Sequence, residues 1–497
     1  MAEIGQRPRT LLAALDRGRA QGRALRPMAW GALFAIASAI YCAWMWGFTI
    51  DDAFISIRYA RHLASGIGYR FDVSGPSTDG VTPLPWPFVL VPFAYAPALS
   101  VLFRAKVLCV LSWLASAFVL GKRVGAHEAS PFIKLAAMLV LAACLPVAAG
   151  SVSGMETGVA IALATFAAVQ ADHKKMYVAC ILAGISAAFR PEMIVWALVL
   201  AGALSLPKRD LRCIAGALAR AAVPFVACAI VRGIAFGRLA PLAVLAKPSD
   251  LAHGVRYAVA AALVSLTPVL AFAPLAIWRS SSSTRAIALA AVAHLFAVAA
   301  AGGDWMPYAR LVAPIAPSLV LVFVASSPHA HRLSSWARAV ASLSLGAFVL
   351  ATSAPAGRHV ERDREALIVA AKPYMQNAHV VATADIGWPT AATEADIFDL
   401  AGLTDPNIAV LPGGHTSKWV EASMLLDRHV DVVLLYATNG VASSSLDDWK
   451  TAEYEKLVDV RIVNSPLISA HFDAVGFLPL GADGAGYVVL SRTDPQK

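Results

Sequence analysis

Residues Met28–His62 read MAWGALFAIASAIYCAWMWGFTIDDAFISIRYARH. From Met28 to Phe48 there is no charged side chain. About 20 residues at ~1.5 Å rise cross the hydrocarbon of a bilayer, so this run is expected to span one. Six arginines precede it. Basic flanks are retained on the cytoplasmic side, so the N-terminus is expected inside and the chain emerges outside after Phe48. At that point it presents two adjacent carboxylates, Asp51 and Asp52. An amphipathic stretch follows, carrying Arg58, Arg61 and His62 within about two helical turns.

The whole chain agrees with this opening. Of 497 residues, 58% are hydrophobic and 15% charged, against roughly 25% charged in soluble domains. That composition excludes a cytosolic enzyme, a disordered chain and a small disulfide-stapled secreted domain. The net charge of +9 is not a nucleic-acid signature, because it is unevenly distributed. Residues 355–497 hold 11 Lys/Arg against 19 Asp/Glu, and residues 1–354 hold 30 against 13. Three parts follow: a basic arm over 1–27, an apolar membrane body over 28–354, and an acidic domain of soluble composition over 355–497.

Basic clusters at Lys122–Lys134, 173–175, Lys208–Arg212, Arg279–Arg285 and His329–Arg338 mark the expected cytoplasmic face. Between them the apolar segments pair: 135–150 with 155–171, 176–189 with 193–206, 213–232 with 257–277, and 286–301 with 308–326. A last span at 336–353 then leads outward. Between Gly80 and Lys122 either 84–103 or 105–121 crosses, and the other is interfacial or bent. The expectation is a polytopic α-helical protein of about eleven spans with its C-terminal domain exported. In that domain strands are expected at 379–384, 430–437 and 486–491, and helices at 360–377 and 417–429, as in a small α/β fold. The six cysteines all lie in apolar segments and read as small core hydrophobes.

On this map eight acids of the body fall at outer helix ends or in outer loops: Asp51, Asp52, Asp72, Asp79, Glu156, Glu192, Asp250 and Asp304. Charges so placed are costly and mark function by default. The aspartate pair suits a general base or a shared divalent cation such as Mg or Mn, since closeness raises one carboxyl and leaves the other ionised. Its other reading is capping of the helix that follows. Glu156 lies in an outer turn, Arg190-Pro191-Glu192 separates two helices, and Asp304-Trp305 sits at the outer interface. The loop from Arg232 to Arg256 carries Arg238 and Lys247, which suit either a phosphate-bearing lipid substrate or anionic headgroups.

Asp51–Trp86, with Gly66-Ile67-Gly68-Tyr69-Arg70-Phe71 and Asp79-Gly80-Val81-Thr82-Pro83-Leu84-Pro85-Trp86, resembles the GT-C superfamily of integral membrane glycosyltransferases. Within it, the stretch is most similar to the branch that includes the mycobacterial terminal β-(1→2)-arabinofuranosyltransferase. Ser153–Thr157, Arg190–Glu192, Gly237–Lys247, Gly302–Met306 and Asp399–Asp405 resemble that branch's later motifs, in order along the chain. The resemblance implies an inverting transferase in a bacterial inner membrane. It would move a sugar, arabinofuranose or another pentose or hexose, from a polyprenyl-phosphate donor to an envelope glycan, glycolipid or protein on the exported face. It implies a general base at Asp51 or Asp52, with Asp51 favoured, and phosphate contacts at Arg190, Arg238 and Lys247. Glu156, Glu192 and Asp304 would serve the sugar or the site's architecture, Arg58, Arg61, His62 and Trp305 would be further substrate contacts, and the C-terminal domain would bind carbohydrate. One departure is Pro241-Leu242, where the family carries Pro-Asn. The competing class is a transporter, flippase or assembly factor for envelope polysaccharide. A transporter needs a polar path across the membrane, and the expected spans hold no mid-membrane acid.

Overall fold

The computed structural model describes residues 26–265, 273–440 and 445–493. The arm therefore lies almost wholly outside the described residues, as does the 266–272 part of the expected 257–277 span.

Among the described residues six helices are long and apolar enough to cross a membrane: Pro27–Trp44, Ala98–Ala126, Pro191–Lys208, Leu211–Phe236, Ser282–Ala300 and Arg332–Met375. A seventh is made if Pro131–Ala142 and Leu145–Val152, bent by 49°, are one span. Four further apolar helices, Thr157–Asp172, Met176–Phe189, Leu251–Val264 and Ala313–His329, are shorter. The expected eleven spans thus become six or seven full-length helices and four short ones. The body has the length and composition of a multi-pass helical membrane protein.

The ambiguity between 84–103 and 105–121 is resolved by proline. Pro83, Pro85, Pro87, Pro92 and Pro97 remove donors and clash with preceding turns. The chain there makes only a Pro85–Leu90 helix and a Val91–Phe93 turn. Beyond the last proline, Ala98–Ala126 runs 29 residues without a break. It packs closely on Pro27–Trp44, where a Cβ at Gly121 would meet Phe34 and the carbonyl of Trp30. Close backbone approach through small residues is the usual adhesive between helices in lipid.

The C-terminal domain is entered along one helical run, Arg332–Gly357 followed by Val360–Met375. Among its described residues the strands are β1 (Val380–Thr383), β2 (Asp396–Asp399), β3 (Val432–Ala437), β4 (Phe472–Pro479) and β5 (Gly486–Arg492), in the order β2-β1-β3-β5-β4. β1 runs parallel to β2 and β3, while β3–β5 and β5–β4 are antiparallel. The expected strands correspond to β1, β3 and β5. β2 was missed because its four residues, Asp-Ile-Phe-Asp, begin and end on aspartate, which strands disfavour. β4 was missed because it carries Gly476 and Pro479 and is irregular between Ala474 and Gly476. The expected 417–429 helix shrinks to Ala422–Asp427.

From β1 the chain adds β2 on one side and later β3 on the other. The carboxyl ends of β1 and β3 therefore bound the crevice where open α/β sheets place ligands. In this protein that crevice faces the helical body.

Candidate functional site

The loop after β1 meets the first loop of the body. Both carboxylate oxygens of Asp51 are occupied: Gly387 N donates to Oδ2 at 3.0 Å and Trp388 N donates to Oδ1 at 2.9 Å. Arg364, on the Val360–Met375 helix, places Nη1 3.3 Å from Asp51 Oδ1. Asp51 thus fills the sheet's crevice much as an anionic ligand would. Burial raises its carboxyl above the ordinary range against the pull of Arg364, and Asp385 and Asp52 push the same way as burial.

Asp52, the first residue of the Asp52–Ala64 helix, has different partners. It faces Arg310 Nη1 at 3.5 Å and keeps 20% of its side chain exposed. Arg310 is anchored independently, with Nε on Asp304 Oδ2 at 2.5 Å and Nη2 on Asp304 Oδ1 at 3.3 Å. Burial works to raise Asp304, but Arg310 outweighs it and holds the carboxyl below its usual value, helped by Lys247 and Arg190. Arg310 follows Tyr308 and Ala309, two consecutive non-glycine residues with φ of 61° and 49°. Left-handed backbone in such residues is strained and clusters at functional sites.

A second cluster lies alongside. Arg190 Nη1 is 2.8 Å from Glu156 Oε1, and Arg190 Nε is 2.8 Å from Glu192 Oε1. The Ser153–Glu156 turn is tied to the aspartates by Thr49 Oγ1, which donates to Ser153 O at 3.2 Å, and by Ile50 N, which donates to the same oxygen at 3.4 Å. Gly154 makes this turn possible with φ of 82°. Arg310 Nη1 also reaches Met155 Sδ at 3.2 Å, which closes the group.

Other expected site residues are held in structural contacts. Arg58 donates from Nε to Phe71 O at 2.6 Å and from Nη2 to Ala395 O at 2.7 Å. Arg61 pairs with Glu394 of the C-terminal domain at 2.9 Å. His62 Nδ1 is hydrogen-bonded with Arg70 O at 2.9 Å. All three fasten the Asp52–Ala64 helix to its own loop or to the C-terminal domain. Asp79 holds Arg232 at 2.5 Å, and Asp250 caps the Leu251–Val264 helix. Lys247 acts electrostatically on Asp304 and on His415. Arg238 is half-buried, with Nη1 shielded from solvent and without a hydrogen-bond partner among the described residues. Trp305 is 67% exposed and stacks on His253.

Reading the sequence missed the residues that the C-terminal domain brings to this junction. Besides Arg364, Asp385 accepts a 2.8 Å bond from the Tyr487 hydroxyl and pairs with Lys456. His415 comes from the Gly413-Gly414 loop, and Lys247, Asp52, Lys456 and Asp304 all act on it. Only the spacing of strand ends could have hinted that these tail residues return to the body.

A divalent cation shared by the two aspartates does not fit this arrangement. Asp51 has both oxygens on backbone N–H groups, and Asp52 faces a guanidinium. Among the described residues no group of three or more His, Cys, Asp or Glu side chains is placed to hold a metal ion.

A family profile described as a domain of unknown function (DUF8728) matches residues 358–484, which takes in most of the sheet domain and not the helical body. No curated protein and no solved structure matches the chain.

Proposed function

We propose that the protein is an inverting glycosyltransferase that moves a sugar from a polyprenyl-phosphate carrier to a hydroxyl of an envelope glycan, glycolipid or protein. The reaction takes place at the end of the helical body covered by the sheet domain, on the exported side of a bacterial inner membrane. The observation that carries this reading is the division of labour between the adjacent aspartates. Asp51 is consumed in docking the sheet domain. Asp52 is left partly exposed with one long ion pair, beside strongly positive side chains.

In this reading Asp52 is the general base. It takes the proton of the acceptor hydroxyl, whose oxygen attacks the anomeric carbon from the face opposite the leaving group. The bond from that carbon to the phosphate oxygen breaks, and its electron pair leaves with the lipid phosphate. Arg310, 3.5 Å away, orients Asp52. Lys247, which acts on Asp304, would meet the departing phosphate, and Arg238 in the same loop would add charge where the lipid is expected. A cavity of about 310 Å³ between loop residues 72–78 and the sheet domain, lined by Asp72, Asp396, Asn407 and Arg428 among others, offers the sheet domain a second place for a glycan chain.

The test is an Asp52→Asn protein at wild-type abundance, with mass spectrometry of lipid-linked sugars and surface glycans. Loss of general-base catalysis costs on the order of 10²–10⁴-fold. One sugar should therefore disappear from the glycan while its polyprenyl carrier rises. A glycan completed normally by this variant would end the reading.

A further inference from the structure

Trp305 has an unusual setting for an interfacial tryptophan. One face of its indole is covered by the His253 imidazole, with ring centroids 4.2 Å apart and planes within 13°. His253 is itself fixed, with Nδ1 2.7 Å from Gly302 O. The Trp305 backbone N–H donates to Asp304 Oδ1 at 2.9 Å, and Asp304 anchors the arginine that faces Asp52. The Trp305 backbone therefore shares Asp304 with the arginine that faces the proposed base. The ring of His415, from the sheet domain, lies 6.1 Å away and is tilted by 56°. A belt tryptophan turns its ring to lipid and headgroups. This one, 67% exposed, has a residue of the sheet domain beside its ring.

We propose that Trp305, backed by His253 and faced by His415, is a sugar subsite that binds the acceptor ring. The polarised C–H face of a sugar fits the electron-rich face of an indole, as positive edges fit aromatic faces generally. His415 then exchanges a hydrogen bond with a ring hydroxyl. Burial pushes the His415 imidazole down to about 4, so at neutral pH it is uncharged and offers both a donor and an acceptor nitrogen. The role as acceptor subsite rests on the transferase reading, whereas sugar binding at this place does not.

Saturation-transfer NMR on the full-length protein in lipid nanodiscs tests it, with methyl α-D-arabinofuranoside, methyl α-D-mannopyranoside and methyl β-D-galactopyranoside as probes. At least one glycoside should receive saturation on its ring C–H protons. Trp305→Ala should weaken binding on the order of tenfold, as loss of an aromatic stacking partner does. Trp305→Phe should retain most of it, and His415→Ala should weaken it several-fold. Trp305→Ala protein that melts like wild type yet binds as wild type would overturn the proposal. So would the absence of any signal above empty nanodiscs, and so would an unchanged affinity in His415→Ala for the part given to His415. Asp52→Asn protein should still bind the probe. If it binds and also transfers sugar, the base assignment fails while the subsite stands.

Discussion

Gly387 lies against Asp51 with no room for a side chain: a Cβ there would collide with both the carbonyl oxygen and the carboxylate of Asp51. The two residues are 336 positions apart and join the body to the sheet domain. Gly387→Ala should therefore act by undocking, since the nearest contact is the backbone carbonyl of Asp51 and its carboxylate is pinned by two N–H groups. Overpacking of this kind costs about 1–3 kcal/mol. A lower melting temperature and faster proteolysis between residues 376 and 395 are the expected readouts. Unchanged values for both would mean that the junction is loose.

The two neighbouring aspartates should separate in their effects. Asp51→Asn replaces one acceptor oxygen by an NH₂ group facing a backbone N–H, and Arg364 loses its charge partner. An unsatisfied buried donor costs about 1–3 kcal/mol, so this variant should melt early. Asp52→Asn removes one 3.5 Å ion pair from a partly exposed side chain, worth at most about 1 kcal/mol. It should melt close to wild type and lose transfer. Equal destabilisation of both variants would contradict the division of labour.

Arg310 should be the least replaceable cation. Arg310→Ala strands Asp304, whose side chain is 8% exposed, and removing one partner of a buried pair costs about 3–5 kcal/mol. Arg310→Lys keeps the charge but loses the two-point grip on Asp304. It should fold with a smaller loss, about 1–3 kcal/mol, and transfer poorly. A double-mutant cycle with Asp304→Ala measures the coupling, which should be strong enough that Arg310→Ala/Asp304→Ala is more stable than Arg310→Ala alone.

How much of this could be read in the sequence depends on the range of each interaction. The uncharged Met28–Phe48 run and the aspartates after it are local signals, and they gave the first helix and the junction. The proline string from Pro83 to Pro97 was also local, yet a hydropathy reading averages over it and leaves the crossing undecided. Arg58, Arg61 and His62 looked like site residues because their spacing puts them one to three turns from the aspartates. What uses the two arginines lies elsewhere: Ala395 and Glu394 are more than 330 positions away, while His62 serves the nearby Arg70 carbonyl. Arg364 and His415 were invisible for the same reason. Nothing near Arg364 in sequence shows that Asp51 waits at the other end of the body. The choice between Asp51 and Asp52 could not be made from two identical residue types side by side. What separates them is the N–H groups of Gly387 and Trp388, which occupy Asp51 and not Asp52.

The sheet domain should also carry a pH signature independent of transfer. Asp459 is buried on the Leu457–Val463 helix, where Oδ2 accepts from Tyr436 N at 3.1 Å and Oδ1 has no hydrogen-bond partner among the described residues. Burial raises its carboxyl to about 7, with Lys456 pulling it back and Asp385 adding to the rise. An acid whose folded value lies above its unfolded value binds more protons when folded. Stability from this residue is therefore full below about pH 4 and is lost as pH rises toward 7. Each pH unit in that window is worth about 1.4 kcal/mol. Asp459→Asn keeps an acceptor for Tyr436 N and cannot ionise, so its melting temperature should fall less than that of wild type between pH 5 and 8. Asp72 and Asp399, raised to about 7 and about 6, contribute slopes of the same sign in both proteins. His415, pushed down to about 4, contributes the opposite sign below about pH 6.5. The difference between the two curves thus isolates Asp459, and identical slopes would show that its carboxyl is already ionised in the folded domain at pH 5.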